Sequence, residues 1–275
     1  MTTDTEWQAW GLRDPYFAVL THPKYRTDAL TPDAKLEFLA SGRKTVDMVL
    51  NTCRGYFGAH FAPQRVLDFG CGVGRLSIPF AAQAREVVGM DVAESMLAEA
   101  RLNCQAQDCH NVTLVLSDDA LSRAAGQFDL VYSGIVLQHI EVARGRKLFA
   151  ELVGKVIPGG CGVIQVTFAW DQYAAEFGVA PDSSVVRRAP GRISQIKALW
   201  ERAFKRLGVI RTAPAIEPLP KAVGVDPEMQ MNYYNLSQLM FILEQAGVKR
   251  VFSTFTNHGG AIGVLMFFQK PPQVG

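Results

Sequence analysis

The sequence predicts an α/β fold built on a seven-stranded, mostly parallel sheet, with helices on both faces and a helical cap. From Arg65 onward, short apolar runs alternate with longer segments of helical periodicity, which is typical of stacked βα units. A glycine-rich loop directly follows the first apolar run. The 275 residues are 48% hydrophobic and 20% charged, which indicates an ordinary globular protein with one substantial core.

Seven apolar runs are the predicted strands. They centre on Val66–Phe69, Val87–Met90, Val112–Leu116, Leu130–Ser133, Gly162–Phe168, Arg250–Phe255 and Ile262–Phe268. The first five are separated by segments long enough for crossover helices, as parallel strands require. Only a few residues join the last two, so we expect an antiparallel hairpin at that end of the sheet.

Two helices are marked by both periodicity and stop signals. Apolar residues recur at helical spacing from Leu148 to Ile157, and the run ends at Pro158, Gly159 and Gly160. A later helix is predicted to begin at Asn235, an N-cap with Gln238 three residues on, and to end near Gly247. Its expected apolar face consists of Leu236, Leu239, Met240 and Leu243.

Two segments fall outside this regular pattern and are candidate walls of a substrate pocket. Residues 1–60 are predicted to form a helical cap, and residues 170–234 to be inserted into a domain that spans 61–275. Within the insert, residues 187–211 form a basic amphipathic helix in this interpretation. It could pack on the domain, close over an anionic acceptor, or touch anionic lipid if the acceptor is lipid-linked. Nucleic acid is disfavoured, because basic and aromatic residues are not interleaved.

Composition restricts the partners and the cellular location that we expect for this protein. A formal net charge of +2 gives no overall field that would attract nucleic acid or a membrane. The five cysteines form no CxxC pair, which favours a reducing, cytoplasmic location. We expect no signal peptide and no membrane-spanning segment, since no apolar stretch approaches about 20 residues. Cys104, Cys109 and His110 lack a second ligand pair, so no metal site is predicted.

The glycine loop is the most specific signal for a ligand. Its candidate binding residues are Asp68, Gly70, Cys71, Gly72 and Gly74. Glycine allows the backbone to turn tightly and approach a ligand closely. The glycines are spaced GxGxG rather than the GxGxxG of dinucleotide-binding loops, and a carboxylate beside the loop would repel a pyrophosphate. That carboxylate would instead suit a ligand with an ammonium group.

Further acids follow the next two strands. Asp91 ends the second strand, where a carboxylate can accept hydrogen bonds from both ribose hydroxyls. Asp118, Asp119 and Ala120 follow the third strand, where an acid could read an adenine amino group. Asp91 could instead be a helix N-cap, and the later pair could be ordinary loop residues. Together, the three acidic positions suit S-adenosylmethionine (SAM).

On these motifs, the stretch from Arg65 to Phe168 resembles the class I SAM-dependent methyltransferases. The resemblance implies a Rossmann-like sheet with strand order 3-2-1-4-5-7-6, the last strand antiparallel, and SAM as the cofactor with S-adenosylhomocysteine as its product. It also implies that Val92 or Met96 packs on the adenine, and that residues after the fourth strand line the reaction centre, namely Ser133, Gly134 and Gln138. Cys71 within the loop and Ser133 in place of a more usual asparagine depart from the family pattern.

His139 is the candidate catalytic residue, since a neutral imidazole just past the fourth strand could take a proton from an attacking group. It could equally hydrogen-bond to the backbone and shape the loop. The sequence thus predicts a methyltransferase acting on a small or medium-sized metabolite, with oxygen, nitrogen and carbon acceptors all open. A non-catalytic SAM-binding sensor or scaffold is the alternative, and a nicotinamide-dependent oxidoreductase is disfavoured by the loop spacing. No oligomeric state is predicted.

Overall fold

The computed structural model describes residues 2–171 and 226–272. The predicted insert at 170–234 lies mostly outside these residues, and the predicted basic helix at 187–211 lies wholly outside them. Within the described ranges, no helix has the length and apolar character needed to cross a bilayer.

The sheet has seven strands in the order β3-β2-β1-β4-β5-β7-β6. They are β1 (Arg65–Phe69), β2 (Glu86–Asp91), β3 (Val112–Leu116), β4 (Phe128–Ser133), β5 (Val156–Trp170), β6 (Val251–His258) and β7 (Ala261–Gln269). The pairs among β1 to β5 are parallel, whereas β7 runs antiparallel to both β5 and β6. The predicted strand order, including the antiparallel last strand, is confirmed.

Helices precede the sheet and lie between several of its strands. They are α1 (Thr3–Arg13), α2 (Pro15–Val19), α3 (Pro32–Phe57), α4 (Ser77–Ala81), α5 (Glu94–Ala106), α6 (Val142–Gly154) and α7 (Leu236–Gln245). Short 3-10 turns lie at Pro23–Tyr25 and Leu137–His139. The first three helices belong to the same compact unit as the sheet.

Both faces of the central strands are buried. Alternate residues of β1 show this arrangement: Leu67 joins a core cluster with Phe149 of α6, and Val66 joins one with Val49 of α3. All four side chains are fully or almost fully buried. Near-continuous apolar runs are expected for parallel strands covered on two sides, which is why the central strands could be located from sequence.

The predicted end of the helix at Ile157 is wrong. Helix α6 ends at Gly154, and Val156 and Ile157 already belong to β5. Val156 pairs with Phe128, after which the register shifts before Leu130 pairs with Cys161. The Pro158-Gly159-Gly160 segment therefore interrupts the regular ladder within the strand, where proline has no N–H to donate.

Helix α7 begins as predicted but differs in two details. The Asn235 side chain accepts from the backbone N–H of Ser237, while the Gln238 side chain accepts from Arg146 instead of closing a capping box. Leu239 and Leu243 are buried, whereas Met240 is exposed and does not belong to the buried face.

Candidate cofactor site

A cavity lies at the carboxyl ends of β1, β2 and β4, the edge at which open α/β sheets bind ligands. It encloses about 920 Å³ of space free of protein atoms, including open solvent at its mouth. The predicted site residues that line it are Asp68, Gly70, Cys71, Gly72, Asp91, Val92, Met96, Gly134 and His139.

The glycine loop is held by backbone hydrogen bonds across the sheet edge. The N–H groups of Gly70 and Cys71 both donate to the carbonyl of Met90, at 2.7 and 2.9 Å. Gly70 and Gly72 have positive φ angles, of 75° and 53°. A Cβ at Gly70 would collide with Val136, so this position needs glycine for both conformation and space. Gly74, also at positive φ, lies outside the cavity lining.

Asp68 presents a buried carboxylate to the cavity. It is 2% exposed, and its Oδ2 accepts a 2.6 Å hydrogen bond from the Ser77 hydroxyl. Burial raises the pKa of Asp68 to about 6, while the hydrogen bond from Ser77 and the charge of Arg75 oppose the rise. A carboxylate destabilised in this way is suited to a cationic ligand group, which would restore the charge balance.

Asp91 joins the second strand to the glycine loop. Its Oδ2 accepts from the N–H of Gly72 at 2.8 Å, and its Oδ1 accepts from the N–H of Ala93 at 3.0 Å. Burial raises its pKa and these backbone hydrogen bonds lower it. Asp91 is not the N-cap of α5, because Ala93 takes that position and no side chain caps the helix. An ionised carboxylate can accept about four hydrogen bonds, so capacity remains for two ribose hydroxyls.

Val92 and Met96 form an apolar part of the cavity wall, next to Ser117 at the end of β3. Met96 is 1% exposed and packs in a core cluster with Trp10 of α1. A flat apolar ring such as adenine could pack against these side chains.

The three predicted residues after β3, Asp118, Asp119 and Ala120, lie outside the cavity lining. The Asp118 carboxylate accepts from the N–H groups of Ala120 and Ser122 and therefore caps its own turn. Asp119 is bound by Arg144, with 2.8 Å between Nε and Oδ1. In this conformation neither acid is directed to the cavity, and their role in reading adenine stays a prediction.

The turn after β4 carries backbone strain. Ile135 lines the cavity and has a φ of 61°, which is a costly conformation for a β-branched residue. Its N–H donates a 2.8 Å hydrogen bond to Oε1 of the buried Gln165. Ser133 and Gln138 are buried beside this turn but are not among the lining residues, and neither Ser133 Oγ nor Gln138 Oε1 has a hydrogen-bond partner in the described ranges.

His139 is buried and is held in one tautomer by contacts at both ring nitrogens. Its Nδ1 lies 2.7 Å from the carbonyl oxygen of Gln230, so Nδ1 carries the proton that is donated. Nε2 is then an acceptor, and the Gln138 side-chain amide lies 3.3 Å from it. Burial lowers the pKa of His139. The ring of Trp7 lies 5.0 Å away, centroid to centroid.

Several lining residues were not singled out by the sequence. They are Thr3, Asp4, Trp7, Ala18, Val19, Arg75, Tyr132 and Ile135, among others. The N-terminal residues reach the cavity because α1 packs on α5, and no local pattern reports that contact. Arg75 had a signal, since it is a charged residue immediately after the glycine loop.

The cavity fits the cofactor that the motifs imply. It combines a buried carboxylate at Asp68, a second carboxylate with spare acceptor capacity at Asp91, and an apolar wall at Val92 and Met96. A Cβ at Gly72 would come within 2.8 Å of Val19 Cγ2, so the loop and α2 leave space for little more than a backbone. Within the described ranges, no cluster of side chains is suited to hold a metal ion.

Comparison with known proteins agrees with this architecture. Residues 66–160 match the model of a methyltransferase domain family. A ubiquinone biosynthesis O-methyltransferase of Ruegeria sp. (strain TM1040) is 39% identical over 82 residues, 30% of this chain and 33% of that protein. The corresponding enzyme of Rhizobium etli is 26% identical over 182 residues, 63% of this chain and 72% of that protein. The Ruegeria match thus spans about a third of its relative's length.

Two solved structures share the fold along almost the whole chain. Magnesium protoporphyrin IX methyltransferase from Synechocystis PCC 6803, with bound SAM, has a TM-score of 0.56 and 16% identity, and the match covers 98% of both chains. An N-methyltransferase from Bradyrhizobium japonicum WM9, in complex with S-adenosylhomocysteine, has a TM-score of 0.53 and 14% identity, covering 98% of this chain and all of that one (100%). At such identities the likeness establishes the fold.

Proposed function

We propose that this chain, which carries a methyltransferase domain match at residues 66–160 and the Rossmann-like strand order, is a class I SAM-dependent methyltransferase that transfers a methyl group from SAM to a small or medium-sized metabolite. The observation that carries the proposal is the cavity itself. It brings the glycine loop, Asp68, Asp91 and His139 together at one edge of the sheet.

The chain's own residues supply the binding functions that this cofactor needs. Asp68 offers a buried carboxylate to the ammonium group, Asp91 accepts from the ribose, and Val92 and Met96 pack on the adenine. When bound, SAM supplies a methyl group on a sulfonium, which is open to displacement by a nucleophile. The main task of the protein is then to align the nucleophile and exclude water.

A hydroxyl oxygen is the acceptor that this site favours among oxygen, nitrogen and carbon. A hydroxyl must lose its proton during attack, and Nε2 of His139, which now accepts from the Gln138 amide, would take that proton once the acceptor replaces the amide. The names of the Ruegeria and Rhizobium relatives, both O-methyltransferases, support the same choice. An already neutral amine would need no such base.

A non-catalytic SAM-binding protein is the second candidate function. The buried Asp68 and the capped Asp91 would serve it equally well, because both concern the cofactor alone. The fixed tautomer of His139 favours the enzyme, since a sensor has no need of a proton acceptor at this place.

The proposal extends to the cellular location of the enzyme and to the class of its acceptor. We propose a cytoplasmic enzyme, because the five cysteines are all unpaired thiols. An anionic or lipid-linked acceptor would suit the basic sequence at 187–211.

The experiment that tests the function is titration calorimetry with SAM, S-adenosylhomocysteine and NADH, followed by a panel of hydroxyl and amine acceptors. Binding of the first two ligands and not of NADH, with S-adenosylhomocysteine formed from at least one acceptor, is the expected result. Preference for NADH would reject the cofactor. SAM binding without turnover on any acceptor would favour the sensor.

A further inference from the structure

Arg75 presents an unusual guanidinium to the cavity. It follows the glycine loop directly and lines the same cavity as Asp68 and Tyr132. Its Nε is buried and has no hydrogen-bond partner in the described part of the chain. Among residues 2–171 and 226–272, Nη1 makes one hydrogen bond, a long one of 3.3 Å to the hydroxyl of Ser41. A cation withdrawn from water without a matching anion is costly.

The surrounding structure packs tightly against the backbone of Arg75. Gly42 of α3 packs against the carbonyl of Arg75 so closely that a Cβ there would collide with it. The Asp68 carboxylate acts on the guanidinium through its charge but is hydrogen-bonded to Ser77 instead. The cost of burying Arg75 is therefore not relieved by a hydrogen-bonded partner on Asp68.

Tyr132 adds a second donor to the same wall. Burial raises the pKa of its phenol well above the usual range, so the hydroxyl stays protonated and can donate. The wall thus presents an anion at Asp68 and two donors, one of them cationic, at Arg75 and Tyr132. This arrangement of charge complements an α-amino acid, whose ammonium and carboxylate groups are attached to one carbon atom.

We propose that Arg75, assisted by Tyr132, binds the α-carboxylate at the methionine end of the cofactor, while Asp68 receives its ammonium group. The inference rests on the proposed function and adds one recognition residue to it. Arginine suits the role because its planar fork matches a carboxylate. A carboxylate on the acceptor could offer the same chemistry, and the ligands chosen below separate the two sources.

The test compares affinities for three ligands by calorimetry, without turnover. S-adenosylhomocysteine carries both groups, decarboxylated S-adenosylhomocysteine lacks only the carboxylate, and 5′-methylthioadenosine lacks both. A hydrogen bond to a charged group contributes about 1.5–3 kcal/mol, so the wild-type protein should prefer the first ligand to the second by roughly 10- to 100-fold. In Arg75→Gln this preference should fall close to one, with affinity for 5′-methylthioadenosine unchanged.

Two further variants and a control protect the test against misfolding. Arg75→Lys keeps the charge and should keep part of the preference, and Tyr132→Phe should lower it less than Arg75→Gln does. Arg101→Gln is the matched control, because Arg101 pairs with Glu94 at the surface and should leave the preference as in the wild type. The ratio between two ligands on one variant is insensitive to the fraction that is folded.

Three results would overturn the inference. One is a wild-type protein that binds S-adenosylhomocysteine and its decarboxylated form equally well. This result leaves the proposed function intact and indicates that Arg75 binds a carboxylate of the acceptor. Another is an Arg75→Gln variant that keeps the wild-type preference or weakens all three ligands alike, as a packing residue would. A wild-type protein that binds none of the three would instead reject the proposed function itself.

Discussion

Nδ1 of His139 lies 2.7 Å from the carbonyl oxygen of Gln230, and this hydrogen bond fixes the tautomer of a histidine that lines the cavity. The segment that carries Gln230 is itself tied to the turn, because the N–H of Asn232 donates to the carbonyl of Gln138. The Tyr234 hydroxyl donates towards the carbonyls of Leu137 and Ile140. The orientation of the imidazole is thereby fixed by a segment that is about 90 residues away in sequence.

His139→Gln should lower kcat by about 10²- to 10⁴-fold, the usual contribution of a general base, and leave the Kd for S-adenosylhomocysteine almost unchanged. Because burial lowers the pKa of His139, the imidazole is neutral at pH 7. In the wild type, kcat/KM should rise with pH through a pKa below the ordinary 6.5 and then level off.

The control for this prediction is His110→Gln, since His110 is exposed and hydrogen-bonds to the neighbouring Asp108. Steady-state kinetics with the acceptor found in the panel give the measurement. A variant of His139 with full kcat would show that the histidine only shapes the loop.

Asp68→Asn should stabilise the ligand-free protein while it weakens cofactor binding. Burial raises the pKa of Asp68 to about 6 in the folded state, against an ordinary value of 3.8. The folded protein therefore holds this proton more tightly than the unfolded chain, and stability falls as the pH rises from about 4 through 6. At pH 7.5 the substitution should add on the order of 2 kcal/mol to the free energy of unfolding.

Denaturant unfolding at pH 5 and pH 7.5 measures this effect, and the gain should be smaller at the lower pH. Asp118→Asn is the control with the opposite sign, because hydrogen bonds from Ser122 lower the pKa of Asp118. Equal stability of Asp68→Asn and the wild type at both pH values would contradict the argument.

Asp91→Asn should weaken binding of S-adenosylhomocysteine by roughly 10- to 100-fold, the loss expected for hydrogen bonds to a charged group. The amide would have to point its N–H₂ group at the N–H of Gly72 or of Ala93, since both now donate to the carboxylate. Calorimetry measures the affinity, with the exposed Asp108→Asn as control. Unchanged affinity would mean that Asp91 only holds the glycine loop and the backbone at Ala93 in place.

Much of the fold could be predicted because buried parallel strands are recognisable in the sequence as apolar runs. The starts of β1 and β2 were placed within one residue. The junction at Val156 could not be placed, since its apolar residues continue the helical spacing of α6 equally well. Only the pairing of Val156 with Phe128 across the sheet decides it.

The candidate site also has a part that the sequence could predict and a part that it could not. Asp68 and Asp91 lie at the carboxyl ends of neighbouring parallel strands, so topology places them at a common edge of the sheet. The approach of Trp7 to His139, and of Asp4 to Arg144, depends on how α1 packs against the domain. No short-range pattern encodes such contacts.

Arg144→Gln should loosen α1 over the cofactor site. Arg144 binds both Asp4 of α1, through two hydrogen bonds of 2.7 and 3.0 Å, and Asp119 in the loop after β3. Asp4 lines the cavity. The partners are partly exposed, so each pair contributes at most about 1 kcal/mol, and release of S-adenosylhomocysteine should become about 2- to 10-fold faster.

Stopped-flow displacement measures the release rate, and hydrogen exchange of the α1 amides should increase in the variant. Because salt screens partly exposed charges, raising the ionic strength should speed release from the wild type but change the Arg144→Gln variant much less. Arg146→Gln is the matched control, two residues along α6 and hydrogen-bonded to Gln238 instead. If both variants release the product at the wild-type rate, α1 is held by its apolar contacts with α5 alone.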